Sequence, residues 1–448
     1  MTKTMTEGNP LRLILEFAVP LMLGNLLQQT YNIVDAAIVG QVLGTSALAS
    51  VGATSSVQFL VIGFLVGTTC GFGIPIEKTF GAGDFKRLRV QIFHAYILSA
   101  ALAVFLTVLC TLFCSKILFL LSTPEEIYAD AYRYLFVLFL GIPFTLLYNL
   151  LSAILRAVGD SKMPFFFLAF STVLNIILDL LFIKVIRWGC VGAAVATVTA
   201  QAVSGILCAY VIGKRYQILC LKREDCKFHS TEIRNMIVMG IPMGLQYSIT
   251  AIGSMVMQSA NNGLGSVYVS GFTVGTRIKQ FFMCPFDAIA TAVSVFCGQN
   301  LGAGKSKRIR EGLWKGILVG VTYGILSGII LIFAGRILSS LFVKKDELDV
   351  LNASSRYLFC QGCFFWVLGF LNICRMTTQG LGYSGRAVFS GVMEMIARVV
   401  SSFQFVPLYG FAAISFTDPS AWLLASIYMI PTCLLCISHV SNQIKIQG

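Results

Sequence analysis

The sequence predicts an all-α membrane protein with twelve transmembrane helices, arranged as two pseudo-symmetric six-helix lobes around a central cavity. Of its 448 residues, 56% are hydrophobic and only 12% are charged, whereas a soluble chain typically has about 25% charged residues. Apolar runs of about 20 residues or more recur along the chain, and each is long enough to cross a bilayer as a helix. Several motifs of the first half also return in the second half.

The apolar runs define the spans in chain order. Pro20 and Pro242 occupy corresponding places in the first and seventh spans, and each predicts a bend because proline removes a helical hydrogen bond. Pro143 and Pro285 interrupt the fourth and eighth spans in the same way. Several spans are longer than a bilayer requires, which predicts tilt or extension beyond it. The predicted bounds are 12–38, 53–76, 91–114, 132–157, 163–185, 190–213, 235–260, 268–298, 312–335, 351–377, 387–407 and 420–440.

Lysine and arginine are concentrated in the loops on one side of the predicted membrane, which is also the side of both termini. Because basic loops stay in the cytoplasm, we expect a multi-pass protein of the cell membrane with both termini cytoplasmic. The polar connection at 214–234 predicts a cytoplasmic linker between an N-lobe at 1–213 and a C-lobe at 235–448. The basic loop residues include Lys78, Lys86, Arg87, Arg89, Lys214, Arg223, Lys305, Lys307, Arg308 and Arg310.

The two halves repeat each other in sequence. FGAGDFKRLR at 80–89 returns as LGAGKSKRIR at 301–310, and FSTVLNIILD at 170–179 aligns with FSGVMEMIAR at 389–398. Each half has six spans and therefore starts on the same side of the membrane, so the repeat is parallel. Such a repeat predicts two lobes that rock against each other to expose a central cavity alternately to either side.

The most informative stretch is FSTVLNIILDLLFI at 170–183. Its single charged residue is Asp179, and Asn175 lies four residues earlier, on the same face of a helix. Asp35 lies in another apolar run, and helix geometry places it at a similar depth in the outer half of the membrane. A carboxylate in hydrocarbon is costly unless it faces a bundle interior or a wet cavity. Two close carboxylates favour a shared proton or a bound cation, so these residues predict an H⁺ or Na⁺ site inside a membrane transporter.

The equivalent C-lobe positions differ in charge. In the repeat, Asn175 aligns with Glu394 and Asp179 aligns with Arg398. A Glu and an Arg four residues apart on a helix can neutralise each other, so we expect a structural pair there. The N-lobe, with Asp179 lacking such a local base, is the better place for a coupling cation.

Other polar residues in or near the spans predict either a substrate cavity or helix-to-helix hydrogen bonds. Arg277 and Lys279 either neutralise Asp287 or face the cavity, and the sequence leaves both readings open. Glu16 and Glu77 lie near cytoplasmic helix ends, where we expect them to be solvated. The candidate cavity residues are Gln29, Asn149, Arg277, Asp287 and Glu394.

Composition and motifs exclude several other classes. The net charge of +13 does not indicate nucleic-acid binding, because the basic residues lie in short loops between apolar spans. GAGKS at 302–306 lacks the earlier glycine of a phosphate loop, and its repeat partner GAGDF at 81–85 has no lysine. The three histidines are scattered, and no hydrolase triad is visible. We therefore expect neither an enzyme nor a bound cofactor.

These features together resemble the multidrug and toxic compound extrusion (MATE) family, and the resemblance spans nearly the whole chain. It rests on motifs that occur in order and in register: VPLMLGNLLQQTYNIVDAAIVGQVLG at 19–44, GAGD at 81–84, LRAVGDSKMP at 155–164, NIILDLLFI at 175–183, GAAVATVTAQ at 192–201 and CGQNLGAGKSKR at 297–308.

The resemblance implies two V-shaped lobes and a secondary active antiporter. Inward H⁺ or Na⁺ would drive the export of small organic substrates, cationic or aromatic, and the protein would work as a monomer in the lipid bilayer. It also implies an N-lobe cation site at Asp35, Asn175 and Asp179, completed by a threonine of the sixth span. Thr197 is our choice for that threonine, and Thr199 is the alternative.

Two alternative functions remain open at this point. A flippase for a lipid-linked cell-envelope precursor would line its cavity with several cations to hold a pyrophosphate, whereas the N-lobe candidates here are acidic. A membrane-embedded enzyme would need a His or Cys–His cluster within the spans, and the sequence shows none.

Overall fold

The computed structural model describes residues 3–121, 123–343 and 347–447, and these are almost entirely helical. Short 3₁₀ turns at Gln217–Leu219 and Arg223–Asp225 lie in the connection between the halves. The α-helices are α1 (Pro10–Leu43), α2 (Thr45–Gly81), α3 (Phe85–Leu120), α4 (Glu125–Leu140), α5 (Ile142–Ala157), α6 (Lys162–Asp179), α7 (Cys190–Arg215), α8 (Ser230–Asn262), α9 (Ser266–Gly302), α10 (Ser306–Ser339), α11 (Leu348–Gly380), α12 (Ser384–Val400), α13 (Val406–Tyr409) and α14 (Phe411–Gln447).

These helices group into twelve spans over the described part of the chain. Ten are long and apolar enough to cross a membrane individually, and α4 with α5 forms an eleventh that is bent by 46°. The bend lies at Gly141, just before Pro143, as the proline predicts. The fifth span continues from α6 into a π-helical segment at Leu180–Val185, and the eleventh span joins α12 to α13 through a π-helical segment at Ser401–Phe405. The predicted fold class is confirmed.

The turns at the ends of α2 and α9 explain the repeated GAG motif. Gly83 and Gly304 have φ values of +74° and +70°, a left-handed conformation that glycine adopts without steric cost. Asp84 then caps α3 by accepting a hydrogen bond from the backbone N–H of Arg87 at 3.0 Å. GAGKS is therefore part of a turn between two helices, and not a phosphate loop.

Most helices run beyond the predicted bounds. The largest difference concerns the twelfth span, which begins at Phe411 instead of at 420. Pro419 lies inside this helix, so the proline and Asp418 that precede the predicted start do not mark a loop. Asp418 is therefore an acid within the twelfth span, which the predicted start at 420 excludes.

Helices pack mainly within their own half. In the first half α2 packs against α3, α4 and α5, and α6 packs against α7; in the second half α9, α10 and α14 pack against α11, and α8 packs against α12. Two helices depart from this pattern. α2 packs extensively against α8 of the second half, and the first helix contacts both halves. Phe17 shares a buried cluster with Phe296 of the second half, whereas Val39 shares one with Tyr134 and Ala193 of the first half. Pro20 lies just after the part of α1 that packs on the second half.

The lobes meet along glycine faces of α2 and α8. A Cβ added at Gly71 would lie only 2.6 Å from the Cα of Gly240, and one added at Gly67 would lie 2.9 Å from the Cα of Gly244. The four-residue spacing in both helices lets the two backbones approach closely. This contact leads to the end of the molecule formed by the turns at 82–84, 158–161, 303–305 and 381–383, which we call the closed face.

The N-terminal segment, residues 3–9, ties the two lobes together at the closed face. Its first anchor is in the first half, where the backbone N–H of Lys3 donates to the carbonyl of Val158 at 3.2 Å. Its second anchor is in the second half, where Met5 donates its N–H to Gln299 at 2.8 Å and accepts from the Asn300 amide at 3.1 Å. Met5 is itself buried, so the segment fills the junction between the lobes.

Candidate functional site

The structure brings the predicted N-lobe residues together from three spans. Asp35 comes from the first span, Asn175 and Asp179 from the fifth, and Thr197 from the sixth. Asn175 and Asp179 are 3% and 0% exposed. The carboxyl groups of Asp35 and Asp179 interact electrostatically, and the structure shows no hydrogen bond between them among the described residues. The side-chain amide of Asn175 donates to the hydroxyl of Thr197 at 3.4 Å, so Thr197 is the threonine that faces the group.

Local structure explains this convergence. Asn175 and Asp179 are one helical turn apart in α6, so their side chains project from one face. The π-helical segment begins directly after Asp179, and such segments change the helical register where they occur. On the first span, Tyr31 lies one turn before Asp35 in the same way, and its hydroxyl is 3.4 Å from that of Thr197.

The N-lobe group has more acceptor oxygens than donors. Four buried oxygen atoms have no hydrogen-bond partner among the described residues: Oδ1 of Asp35, Oδ1 of Asn175, and both carboxylate oxygens of Asp179. Buried oxygens without donors are costly, and a proton or a cation placed among them would remove that cost. The donor set, two carboxylates with neutral amide and hydroxyl oxygens, fits H⁺ and also a small hard cation such as Na⁺.

Two tyrosines near the site were not among the predicted residues. Tyr31 contacts Thr197 as described, and the buried Tyr134 of the fourth span interacts electrostatically with both Asp35 and Asp179. The spacing of four between Tyr31 and Asp35 is a sequence signal that would have found the first. Tyr134 lies in an apolar run of the bent fourth span, where the sequence gives no such signal.

The C-lobe contains a buried network of ion pairs. Asp418 is 1% exposed and accepts from Lys279 at 2.5 Å and from Arg398 at 3.0 Å. Tyr357 joins them by donating to Asp418 at 3.1 Å while accepting from Lys279 at 2.8 Å. Sequence reasoning missed Asp418, because the twelfth span was expected to start two residues later. Lys279 is thus buried and paired with Asp418, so neither of the two alternatives left open by the sequence, pairing with Asp287 or facing the cavity, applies to it.

The same network corrects the expectation for Glu394. Arg398 approaches Glu394 at 3.4 Å, one turn away as predicted, but Arg375 of the tenth span also donates to Glu394. Arg375 is held in turn by the hydroxyl of Ser390 at 2.8 Å. Glu394 is therefore buried and shared by two arginines, which makes it part of a helix-to-helix network instead of a group free to contact substrate.

The other candidate cavity residues divide by exposure. Asp287 and Arg277 are exposed, whereas Gln29 and Asn149 are half-buried. Asn149 donates to the carbonyl of Thr145 at 2.8 Å, within its own helix. Asp287 lies between the buried Phe286 and Ala288 in the most deeply packed part of α9. A carboxylate at such a position avoids hydrocarbon by facing water, so we expect the exposed side of Asp287 to lie towards water.

Glu77 is not where the sequence placed it. We expected a solvated side chain near a helix end, but Glu77 is 6% exposed and its Oε2 atom has no hydrogen-bond partner among the described residues. The lobe contact at the closed face buries it, which is a tertiary effect. Glu16 behaves as expected, since it is exposed and paired with Lys3 and Arg12.

Comparison with known proteins identifies the family. The MatE family profile matches residues 20–181 and, separately, residues 242–403, so the internal repeat coincides with two copies of the family unit. The probable multidrug resistance protein YpnP of Bacillus subtilis (strain 168) is 30% identical over 419 residues, covering 93% of this chain and 90% of that protein. The probable multidrug resistance protein YoeA of the same organism is 29% identical over 75% of this chain and 74% of its own length.

Solved structures show the same fold. An outward-facing multidrug resistance MATE family transporter of the MOP superfamily superposes with a TM-score of 0.91 at 22% identity, covering 97% of this chain and 98% of that one. A MATE protein crystallised in complex with MaL6 gives a TM-score of 0.90 at 22% identity, over 98% of both chains. On the strength of the repeated profile match and of the extended similarity to YpnP, this chain belongs to the MATE family, whose members are membrane transporters and not enzymes.

Proposed function

We propose that the protein is a secondary active antiporter that exports organic cations in exchange for H⁺ or Na⁺, by alternating access of its two lobes. The observation that carries this proposal is the set of four buried, unpartnered oxygens on Asp35, Asn175 and Asp179. A permanently empty site of this kind would only destabilise the fold, whereas a site that fills and empties can drive a conformational cycle.

The coupling ion acts on the acid pair. Because Asp35 and Asp179 interact electrostatically, two ionised carboxylates would repel each other, so one shared proton or one bound cation would stabilise the pair. Coupling requires that the ion bind more tightly to one state of the transporter than to the other. Bending of the first span changes the position of Asp35 relative to Asp179, and it therefore supplies that difference.

The first span also connects the ion site to both lobes. Its N-terminal part packs in the C-lobe around Phe17, and its later part carries Asp35 in the N-lobe. Pro20 lies between these parts inside an otherwise continuous helix, where the missing hydrogen bond permits a bend. We assign Pro20 to this bend, and Pro242 to the corresponding place in the seventh span. In this scheme the N-lobe and the C-lobe are joined by the linker at 214–234.

Basic residues orient the protein in the membrane. Lys78, Lys86 and Arg87 lie in the turn region of the first half at the closed face, and Lys305 and Arg308 lie in the matching region of the second half. Since basic loops remain cytoplasmic, the closed face is assigned to the cytoplasm of the cell, together with both termini. The central cavity, in which we place Asp287, then opens to the outside.

The proposed substrates are small organic cations, aromatic ones included. Asp287 offers a carboxylate to the cavity, Gln29 and Asn149 offer amides, and the curated relatives YpnP and YoeA are named as probable multidrug resistance proteins. A lipid-linked pyrophosphate is less well suited. Lys279, Arg375 and Arg398 would be the natural anion ligands, but the structure pairs them with Asp418 and Glu394.

The test is transport by the purified protein in proteoliposomes. Efflux of ethidium, an aromatic cation, is followed under an imposed pH gradient alone and under a Na⁺ gradient alone. We expect one of the two gradients to drive efflux. We expect Asp179→Asn to slow this efflux by about 5- to 150-fold, the factor that corresponds to a typical coupling free energy. Asp130→Asn, which removes an exposed acid at the start of the fourth span, is the matched control. Efflux that ignores both gradients, or a fully active Asp179→Asn protein, would overturn the proposal.

A further inference from the structure

Glu77 is a buried acid near the end of the second span, and it is separate from the N-lobe ion group. It lies one turn before the end of α2 at Gly81. Only 6% of its surface is exposed, and its buried Oε2 atom has no hydrogen-bond donor among the described residues. Neither the predicted cation site nor the substrate cavity uses this residue, so its burial calls for a separate explanation.

The surroundings of Glu77 come from both lobes. Across the lobe contact it faces Gly298 of α9 so closely that a Cβ added at Gly298 would lie 2.7 Å from Oε2 of Glu77. The same added Cβ would lie 3.4 Å from the carbonyl oxygen of Gly380. Cys297 of α9 also interacts with it electrostatically. The C-lobe therefore presents backbone and a thiol to this carboxyl group.

The charged groups near Glu77 leave it without a direct ion pair. Arg156 of the fourth span attracts it electrostatically, but the guanidinium of Arg156 donates to the sulfur of Cys70, two turns earlier on α2, at 3.4 Å. Lys78, the next residue of α2, is exposed. Within the described residues, no basic side chain lies within 4.0 Å of the Glu77 carboxylate. An ionised carboxylate enclosed in this way would be costly, whereas the protonated acid would not.

We propose that Glu77 is a second proton-binding site, separate from the N-lobe group, which must be protonated for the cytoplasmic face to close. When the lobes part there, water reaches the carboxyl group. The O–H bond breaks, its electron pair stays on the carboxylate, and water carries the proton into the cytoplasm. The ionised acid then opposes closure until it is protonated again. This inference rests on the alternating access of the proposed function.

The proposal fixes the direction of a pH effect. Because closure takes up a proton at Glu77, raising the cytoplasmic pH favours the state that is open to the cytoplasm. For a single titrating group, the ratio of open to closed molecules changes by up to about tenfold per pH unit. Glu77→Gln keeps the size and polarity of the side chain but cannot ionise, so closure in this variant is independent of Glu77 titration. Glu77→Asp retains a titrating carboxyl group.

Distance measurements between the lobes test this without any transport step. Nitroxide labels at Lys86→Cys and Gly385→Cys, both exposed at the closed face, report its opening by double electron–electron resonance from pH 6 to pH 9. In the background Cys220, Cys226 and Cys363 are replaced by alanine, and Cys70 is replaced by serine so that Arg156 keeps a hydrogen-bond acceptor; the remaining cysteines are buried.

Four proteins separate Glu77 from the N-lobe site: the labelled parent, Glu77→Gln, Asp179→Asn, and the double variant. We expect opening with rising pH in the parent and in Asp179→Asn, and we expect its loss in the double variant. Any opening with pH that remains in Glu77→Gln is then assigned to Asp179. We expect Glu77→Asp to restore the full opening with rising pH. If Asp179→Asn alone abolishes the pH effect, or if Glu77→Gln leaves it unchanged, the proposal is wrong. Failure of ethidium transport with an intact pH response would instead refute the proposed antiport.

Discussion

The glycine contact between α2 and α8 gives a quantitative prediction for closure. An alanine methyl group at Gly71 would lie 2.6 Å from the Cα of Gly240 and 2.7 Å from the carbonyl oxygen of Met239. Both are backbone atoms, so no side chain can rotate away. The two helices must separate by roughly 1 Å to restore ordinary carbon–carbon contact. Overpacking of this kind typically costs about 1–3 kcal/mol.

That cost falls on the closed state, because opening the cytoplasmic face separates the lobes along this contact. A difference of about 1–3 kcal/mol corresponds to a shift of about 5- to 150-fold in the ratio of closed to open molecules. Gly52→Ala in the same helix is the matched control, since a Cβ added at Gly52 meets no atom within 4 Å. It changes helix propensity by the same amount as Gly71→Ala.

The label pair at Lys86→Cys and Gly385→Cys measures this ratio directly. At constant pH we expect Gly71→Ala to move population from the short distance to the long one, and Gly52→Ala to leave the distribution unchanged. Thermal unfolding of both variants checks that each is folded. A Gly71→Ala protein with the parental distance distribution would show that the closed face does not depend on this glycine contact.

Two further predictions concern the C-lobe network and the linker. Asp418→Asn leaves Lys279 and Arg398 without their shared acid, so we expect the protein to lose about 3–5 kcal/mol of stability and its Tm to fall. Asp349→Asn removes an exposed acid and is the control, which should leave the Tm unchanged. Burial raises the pKa of the Asp225 carboxyl, but hydrogen bonds from Arg89 and from the Lys222 amide outweigh this and hold the pKa below its usual value of 3.8. The Arg89–Asp225 ion pair therefore stabilises the linker at neutral pH, and this stabilisation is lost as the pH falls through the lowered pKa of Asp225. We expect the amide hydrogen exchange rate of the linker, corrected for intrinsic rates, to rise at acid pH in the parent but not in Asp225→Asn.

The positions of the N-lobe residues could largely be predicted from the sequence, because the patterns that indicate them are local. The spacing of Asn175 and Asp179 places both on one helix face, and counting residues from the membrane boundary gives Asp35 a matching depth. In the structure the two aspartates are close enough to interact electrostatically. These inferences used only helix geometry and the cost of charge in hydrocarbon, and neither depends on how the lobes are packed.

The errors arise where packing decides the outcome. Asp418 and Pro419 resemble a helix start, yet the twelfth span passes through them, because Lys279 and Arg398 of other helices neutralise the acid. Glu77 resembles a solvated helix end, yet the lobe contact covers it. In both cases the partner is far away in the chain, and a single sequence gives no indication of which distant residue will meet it.

The N-terminal segment makes the order of synthesis relevant to assembly. Met5 is made before its partner Gln299, which follows 294 residues later in the chain. At typical synthesis rates of about 5–20 residues per second, the segment waits roughly 15–60 s for its partner. During that time the first spans can insert and Lys3 can reach its anchor at Val158, but the anchor in the second half is still missing. A nascent chain arrested before the eighth span should therefore leave residues 3–9 accessible to a protease, and these residues should become protected once the ninth span has been inserted.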